Sequence, residues 1–212
     1  LDNVDLSLHS GQVSAILGRN GSGKTTLLRS MAGFQPYQGK VGVCNASGFE
    51  QAVLGMVFQN PDLQLFNPSV KEEILFRLTR PDLEFYSWLL DGLDLRRYEN
   101  TPPLLLSEGE KRRLALATVL MRSPKHGILL DEPALGQDKA HKEMLMMILR
   151  AVASAGYVVA FATHDLELAA QADRLILLGA GSVVASGTPK EMLSDGKVWE
   201  QVGLRLPEWV TT

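Results

Sequence analysis

Nine residues, GRNGSGKTT from Gly18 to Thr26, put three glycines, a lysine and two threonines where they could hold a polyphosphate. The stretch satisfies G-x-x-x-x-G-K-[S/T] at every fixed position. It follows the apolar run VSAIL and opens the helical pattern KTTLLRSMAG. Glycines there let successive backbone N–H groups turn inward, and a helix start adds partial positive charge. Lys24 would reach the β- and γ-phosphates, and the Thr25 hydroxyl would face a Mg²⁺ ion. A nucleoside triphosphate site is expected from Gly18, Arg19, Asn20, Gly21, Ser22, Gly23, Lys24, Thr25 and Thr26.

A Mg²⁺ ion needs a second anchor, and HGILLDEP supplies one. Asp131 closes an apolar run, Glu132 follows, and Pro133 stops the strand, which places both acids at the carboxyl edge of a sheet. Asp131 would hold the ion mostly through water, and Glu132 would orient or deprotonate an attacking water. FATHD ends another apolar run with His164, placed to hydrogen-bond a γ-phosphate. His9, His126 and His141 receive no such role: the first two fall in turns and the third on an exposed helix face. No HExxH-type metal spacing occurs.

LLLSEGEKRRLALA, Leu104 to Ala117, carries a different signal. Ser107 and Glu110 form the S-x-x-E capping box, and Glu108 in the first turn suits the positive end of the helix dipole. Leu114, Ala117, Val119 and Leu120 would form the buried face. On local grounds this is a well-capped helix start with one unexplained acid.

These groups need a scaffold. Apolar runs at Val13–Leu17, Val53–Phe58, Gly127–Leu130, Tyr157–Ala162 and Leu175–Leu178 alternate with helical patterns near 24–32, 108–122, 138–154 and 166–172. Strands apolar throughout, alternating with helices, predict an α/β fold: a mainly parallel sheet covered on both faces. The stretch 61–105 lacks a strong strand, shows helical periodicity around Val70–Leu78 and Leu83–Leu90, and reads as a helical insertion. From Gly187 a short helix is expected, then a polar tail. Met144, Met146 and Met147 read as core and rim packing.

The chain has 212 residues, 45% of them hydrophobic and 21% charged, with net charge −3, which fits a globular domain and argues against a general nucleic-acid grip. Its one cysteine, Cys44, lies in a strand-like stretch from Lys40 and is expected to be a packing residue. No apolar run approaches the roughly 18 residues of a membrane span, and no signal-peptide pattern opens the chain.

In this order the motifs resemble those of the ATP-binding-cassette (ABC) family across nearly the whole chain. The P-loop is Gly18–Thr25, VFQNP carries Gln59 as the Q-loop glutamine, and LSEGE (Leu106–Glu110) matches the signature. LLDEP is the second Walker motif, ALGQD gives the D-loop with Asp138, and His164 is the switch histidine. The resemblance implies a P-loop NTPase (RecA-like) of residues 1–195 with a helical subdomain near 61–105, followed by a tail, 196–212. It also implies N-terminal strands upstream of Leu1. ATP and Mg²⁺ are the implied ligands, with Thr25, Gln59 and Asp131 around the metal and Lys24, Gln59, Glu132 and His164 in hydrolysis. A second ABC subunit, identical or different, would face this one head to tail. Ser107 and the Gly109 N–H would then contact the γ-phosphate on that partner, with Asp138 nearby. Glu108 departs from the commoner glycine and Glu110 from glutamine, so Glu108 is expected to turn toward Lys111 or Arg112. Residues 1–11 lack the aromatic that relatives stack on adenine.

FQNPDLQLFNPSVKEEI (Phe58–Ile74) and GLRLPE (Gly203–Glu208) resemble energy-coupling-factor and cobalt-type importers. That implies a peripheral protein on the cytoplasmic face of the membrane, gripping an integral transporter subunit near the Q-loop, with no nucleic-acid partner. Asp62–Phe66 would shape the groove or form a buried loop. The alternative is a soluble cassette acting on nucleic acid or the ribosome.

Overall fold

The computed structural model describes residues 1–45, 48–194 and 196–204. Six strands form one sheet in the order β4-β5-β6-β1-β7-β8. They are β1 (Val13–Leu17), β4 (Leu54–Val57), β5 (Gly127–Asp131), β6 (Val158–Thr163), β7 (Arg174–Gly179) and β8 (Ser182–Gly187). The first five run parallel, and β8 returns antiparallel to β7.

Side chains alternate across each strand, and here both faces are buried. Ala15, Leu17, Leu130, Val159, Phe161 and Leu177 join the larger cluster. Ile16, Met56, Leu129, Ala160, Ala162 and Ile176 join the other, against Leu27 and Leu28 of α1 (Lys24–Met31). Uninterrupted apolar runs are the consequence. The larger face is covered by α4 (Glu108–Met121), α5 (Lys139–Ser154) and the short α6 (Leu166–Ala169). Every residue of α4 from Arg113 to Met121 is buried, so the helix hides far more than the single face expected of it.

The segment 61–105 holds α2 (Val70–Leu75), α3 (Leu83–Gly92) and three short 3-10 turns, without a strand. Asn60, Ser69 and Asp82 side chains cap the starts of the first turn, α2 and α3. Ile74, Leu89 and Leu90 of this segment belong to the same buried cluster as the sheet.

Three features depart from the sequence expectations. First, β2 (Gly42–Asn45) pairs antiparallel with β3 (Gly48–Gln51) in a separate ribbon, and Cys44 is exposed rather than packed. A two-stranded ribbon standing off the sheet has little to bury its side chains against. His126, treated as a turn residue, ties this region down: its Nδ1 accepts from the Val53 N–H at 2.8 Å and its Nε2 lies 3.1 Å from Glu50.

Second, β8 was not expected at all. The two-residue turn Ala180-Gly181, both at positive φ (47° and 83°), is the geometry that folds a strand back on its neighbour. Third, the presumed tail begins with helix. After α7 (Pro189–Ser194), α8 (Gly196–Gln201) buries Trp199, whose indole N–H donates to the Met192 carbonyl at 2.7 Å. Residues 205–212, with the end of GLRLPE, lie outside the described residues.

Candidate nucleotide-binding and hydrolysis site

Parallel pairing brings the strand ends to one edge. Leu17 stands opposite Thr163, Asp131 opposite Ala162, and Val57 opposite Leu130. The loop 18–23 leaves this edge from β1 and enters α1. Gly23 caps α1 at φ 103° with no side-chain cap, which leaves the first helical N–H groups to an outside acceptor. At Gly18 a Cβ would fall 2.3 Å from the Leu178 carbonyl, so only glycine fits. Arg19, Asn20 and Gly21 are exposed, Ser22 is buried with its hydroxyl unpartnered among the described residues, and Thr25 and Thr26 are half-buried. This is a cradle of backbone donors without an anion of its own.

Lys24 folds back over the loop. Its Nζ donates to the Gly18 carbonyl at 2.7 Å and to the Arg19 carbonyl at 3.3 Å. Burial lowers its pKa, against the pull of Glu132 and Asp131. The carbonyls hold the ammonium where a phosphate would compete for it.

Asp131 is 2% exposed, and among the described residues neither carboxylate oxygen has a hydrogen-bond partner. Burial raises its pKa. The Thr25 hydroxyl beside it acts in the opposite direction, and Glu132 adds to the rise. A buried acid with orphaned oxygens beside a threonine hydroxyl is what a hard divalent cation satisfies, since such ions take oxygen donors. The residues present fit Mg²⁺.

Glu132 sits at φ 49°, a left-handed conformation rare outside glycine. Its N–H donates to the Ala162 carbonyl at 2.9 Å, and its Oε2 lies 3.0 Å from His164 Nδ1 and 3.3 Å from the Thr163 hydroxyl. So Lys24, Thr25, Asp131, Glu132 and His164 converge on one edge, as their motifs require.

The other expected site residues lie on other elements. Gln59 is exposed in the turn after β4. Ser107 forms its capping box, accepting from the Glu110 N–H at 3.4 Å and donating its own N–H to Glu110 at 2.7 Å. Gly109 follows within the first turn of α4. Asp138 caps α5, accepting from the His141 N–H, and holds the His141 imidazole at 2.8 Å. These bonds of Ser107 and Asp138 are made within their own helix starts. Glu108 turns to Lys111 at 3.5 Å and Arg112 at 4.0 Å, as expected.

Two residues escaped the motif reading. Gln64 clasps the Q-loop stem: its side chain accepts from the Phe58 N–H and donates to the Met56 carbonyl, both at 2.9 Å. Its only sequence signal is its place in the stretch Asp62–Phe66 after the Q-loop. Thr163 touches Glu132, and its only sequence signal is its place at a strand end beside a histidine.

A groove of about 380 Å³ opens beside this stem, walled by Phe34, Leu54, Met56, Phe66 and Val119, with Glu73 and Arg122 also lining it. Leu63 and Phe66 are 66% and 68% exposed, which excludes the buried-loop reading of 62–66. The buried Glu73 carboxylate fixes that loop, accepting from the Phe66 and Asn67 N–H groups at 2.7 Å each. Among the described residues no helix is long and apolar enough to cross a membrane.

The ABC transporter family profile matches residues 1–135. The energy-coupling factor transporter ATP-binding protein EcfA2 of Methanospirillum hungatei is 34% identical over 223 residues, covering 98% of this chain; the chain spans 56% of that protein's length. Among solved structures, cbiO1 from Clostridium perfringens, part of the ABC transporter complex cbiONQ, aligns with TM-score 0.73 and 30% identity, over 98% of this chain and 89% of that one. A dimeric ATP-binding cassette in a post-hydrolysis state with ADP and Pi aligns with TM-score 0.76 and 26% identity, over 89% of this chain and 90% of that one.

Proposed function

The chain belongs to the ABC transporter family, and on that premise we propose that it is the ATP-hydrolysing motor subunit of a membrane importer of the energy-coupling-factor kind. The observation that carries the reading is Asp131, buried and unpartnered beside the P-loop threonine, with Glu132 and His164 next to it.

The loop from Gly18 to Thr26 would take the triphosphate on its backbone N–H groups, with Lys24 leaving the Gly18 carbonyl for the phosphate. Thr25, Gln59 and Asp131 would hold Mg²⁺, which when bound neutralises charge on the phosphate oxygens. Glu132 orients the attacking water and takes its proton, while His164 contacts the γ-phosphate. Lys24 stabilises the charge that develops there. Ser107 and Gly109, at the capped start of α4, serve the nucleotide of a second cassette subunit, a copy or a paralogue, and Asp138 lies at that interface. The dimeric structural neighbour supports such an arrangement.

Glu132→Gln tests the chemistry. Nucleotide affinity should stay within about threefold while kcat falls at least 100-fold, the scale of a lost general base. Hydrolysis near the wild-type rate would refute the assignment of Glu132.

The exposed apolar groove supports an integral membrane partner, and on this reading the chain sits peripherally on the cytoplasmic face. Phe66→Asp should abolish co-purification of the chain with that subunit from membranes and leave nucleotide affinity unchanged. Retained co-purification would remove the groove from the docking surface. A soluble cassette acting on nucleic acid is not favoured: its ATPase would rise with nucleic acid and weaken steeply with salt, and the net charge of −3 offers little to drive such binding.

A further inference from the structure

Glu132 is anchored to a strand that is not its own. It follows β5, yet its backbone N–H donates to Ala162 of β6, and its positive φ turns the chain toward that neighbour. The carboxylate makes the same crossing: its Oε2 meets Thr163 and His164, the last residue of β6 and the one after it.

The two contacts differ in kind. The His164 side chain is 58% exposed and can swing on its two torsions. Thr163 is 1% exposed and, being β-branched, is stiff at χ1. Its hydroxyl also accepts from the Asp165 N–H at 3.0 Å. A hydroxyl has one proton and two lone pairs. With a lone pair engaged by Asp165, the proton is directed to Glu132 Oε2.

Resting on the reading of Glu132 as the base, we propose that Thr163 is a positioning residue for hydrolysis. Its hydroxyl fixes one oxygen of Glu132 whichever way His164 turns, and so leaves the other oxygen for water. Thr163 itself touches neither phosphate nor water.

The test compares the full chain with Thr163→Val and Thr163→Ser, measuring steady-state ATP hydrolysis, affinity for a fluorescent ATP analogue, and thermal unfolding. Valine keeps the shape and removes the oxygen; serine keeps the oxygen. Losing a hydrogen bond to a charged group should lower kcat about tenfold or more in the valine variant. KM and analogue affinity should stay within about twofold, and serine should recover most of the rate. If the valine variant does not fold, Thr163→Ala against Thr163→Ser repeats the comparison of oxygen present and absent. Wild-type kcat without the oxygen overturns the inference, as does failure of serine to recover the rate, or a parallel loss of nucleotide affinity. With Glu132→Gln inactive, any of these results sinks the role of Thr163 alone. With Glu132→Gln fully active, the reading of Glu132 fails and takes this inference with it.

Discussion

At the scale of single residues, Glu108 shows how an acid can stand in a stretch proposed to meet a phosphate. A carboxylate aimed at a triphosphate would be repelled strongly at short range. This one lies on the exposed side of α4, shared between Lys111 and Arg112. Those two cations are otherwise engaged: Lys111 pairs with Asp62 at 2.8 Å, and Arg112 donates to the Leu135 carbonyl at 2.8 Å. Exposed pairs of this kind contribute about 0–1 kcal/mol. Glu108→Gly should therefore change ATP turnover by less than about tenfold, or 1.4 kcal/mol of barrier. A larger rise would mean that the carboxylate does face a phosphate.

At the scale of elements, α5 and the turn after β6 are tied together by one ion pair. Lys142, in the first turns of α5, meets Asp165, which also accepts from the Leu168 N–H to start α6. The tie links the helix capped by Asp138 to the turn that carries His164. Burial pushes the Asp165 carboxyl up, but the Lys142 ammonium and the Leu168 N–H outweigh it and hold the pKa below the usual value. A depressed folded pKa adds stability that is complete above the unfolded value, about 3.9, and is lost as pH falls through the lower one. Asp165→Asn should accordingly be less stable than wild type at pH 7, by on the order of 1 kcal/mol. The gap should close below about pH 4 in denaturant titrations. A gap that stays constant with pH would show that the charge contributes nothing.

At the scale of the molecule, the C-terminal helices belong to the core. Trp199 is 1% exposed and shares its cluster with Leu168 and Leu175. Trp199→Ala should cost about 3–5 kcal/mol in unfolding free energy. For a chain of this length that lowers the melting temperature by roughly 6–20 °C. An unchanged melting temperature would restore the reading of residues from 196 as a mere tail.

The sequence by itself determined the parallel sheet and the edge where the motifs gather. Strands buried on both faces must be apolar throughout, and the P-loop, the acids after β5 and His164 each carry a local pattern tied to a strand end. Helix α4 and its cap were legible for the same reason, since capping is decided within four residues. Only the tertiary structure decided what depends on contacts distant in sequence. Gln64 matters because of where the stem folds, and Thr163 because β6 lies against the end of β5. The exposure of Cys44 and Phe66 and the burial of Trp199 follow from which surfaces the chain brings over them. Local pattern records the conformation of a segment; the partner it meets is chosen only when the sheet assembles.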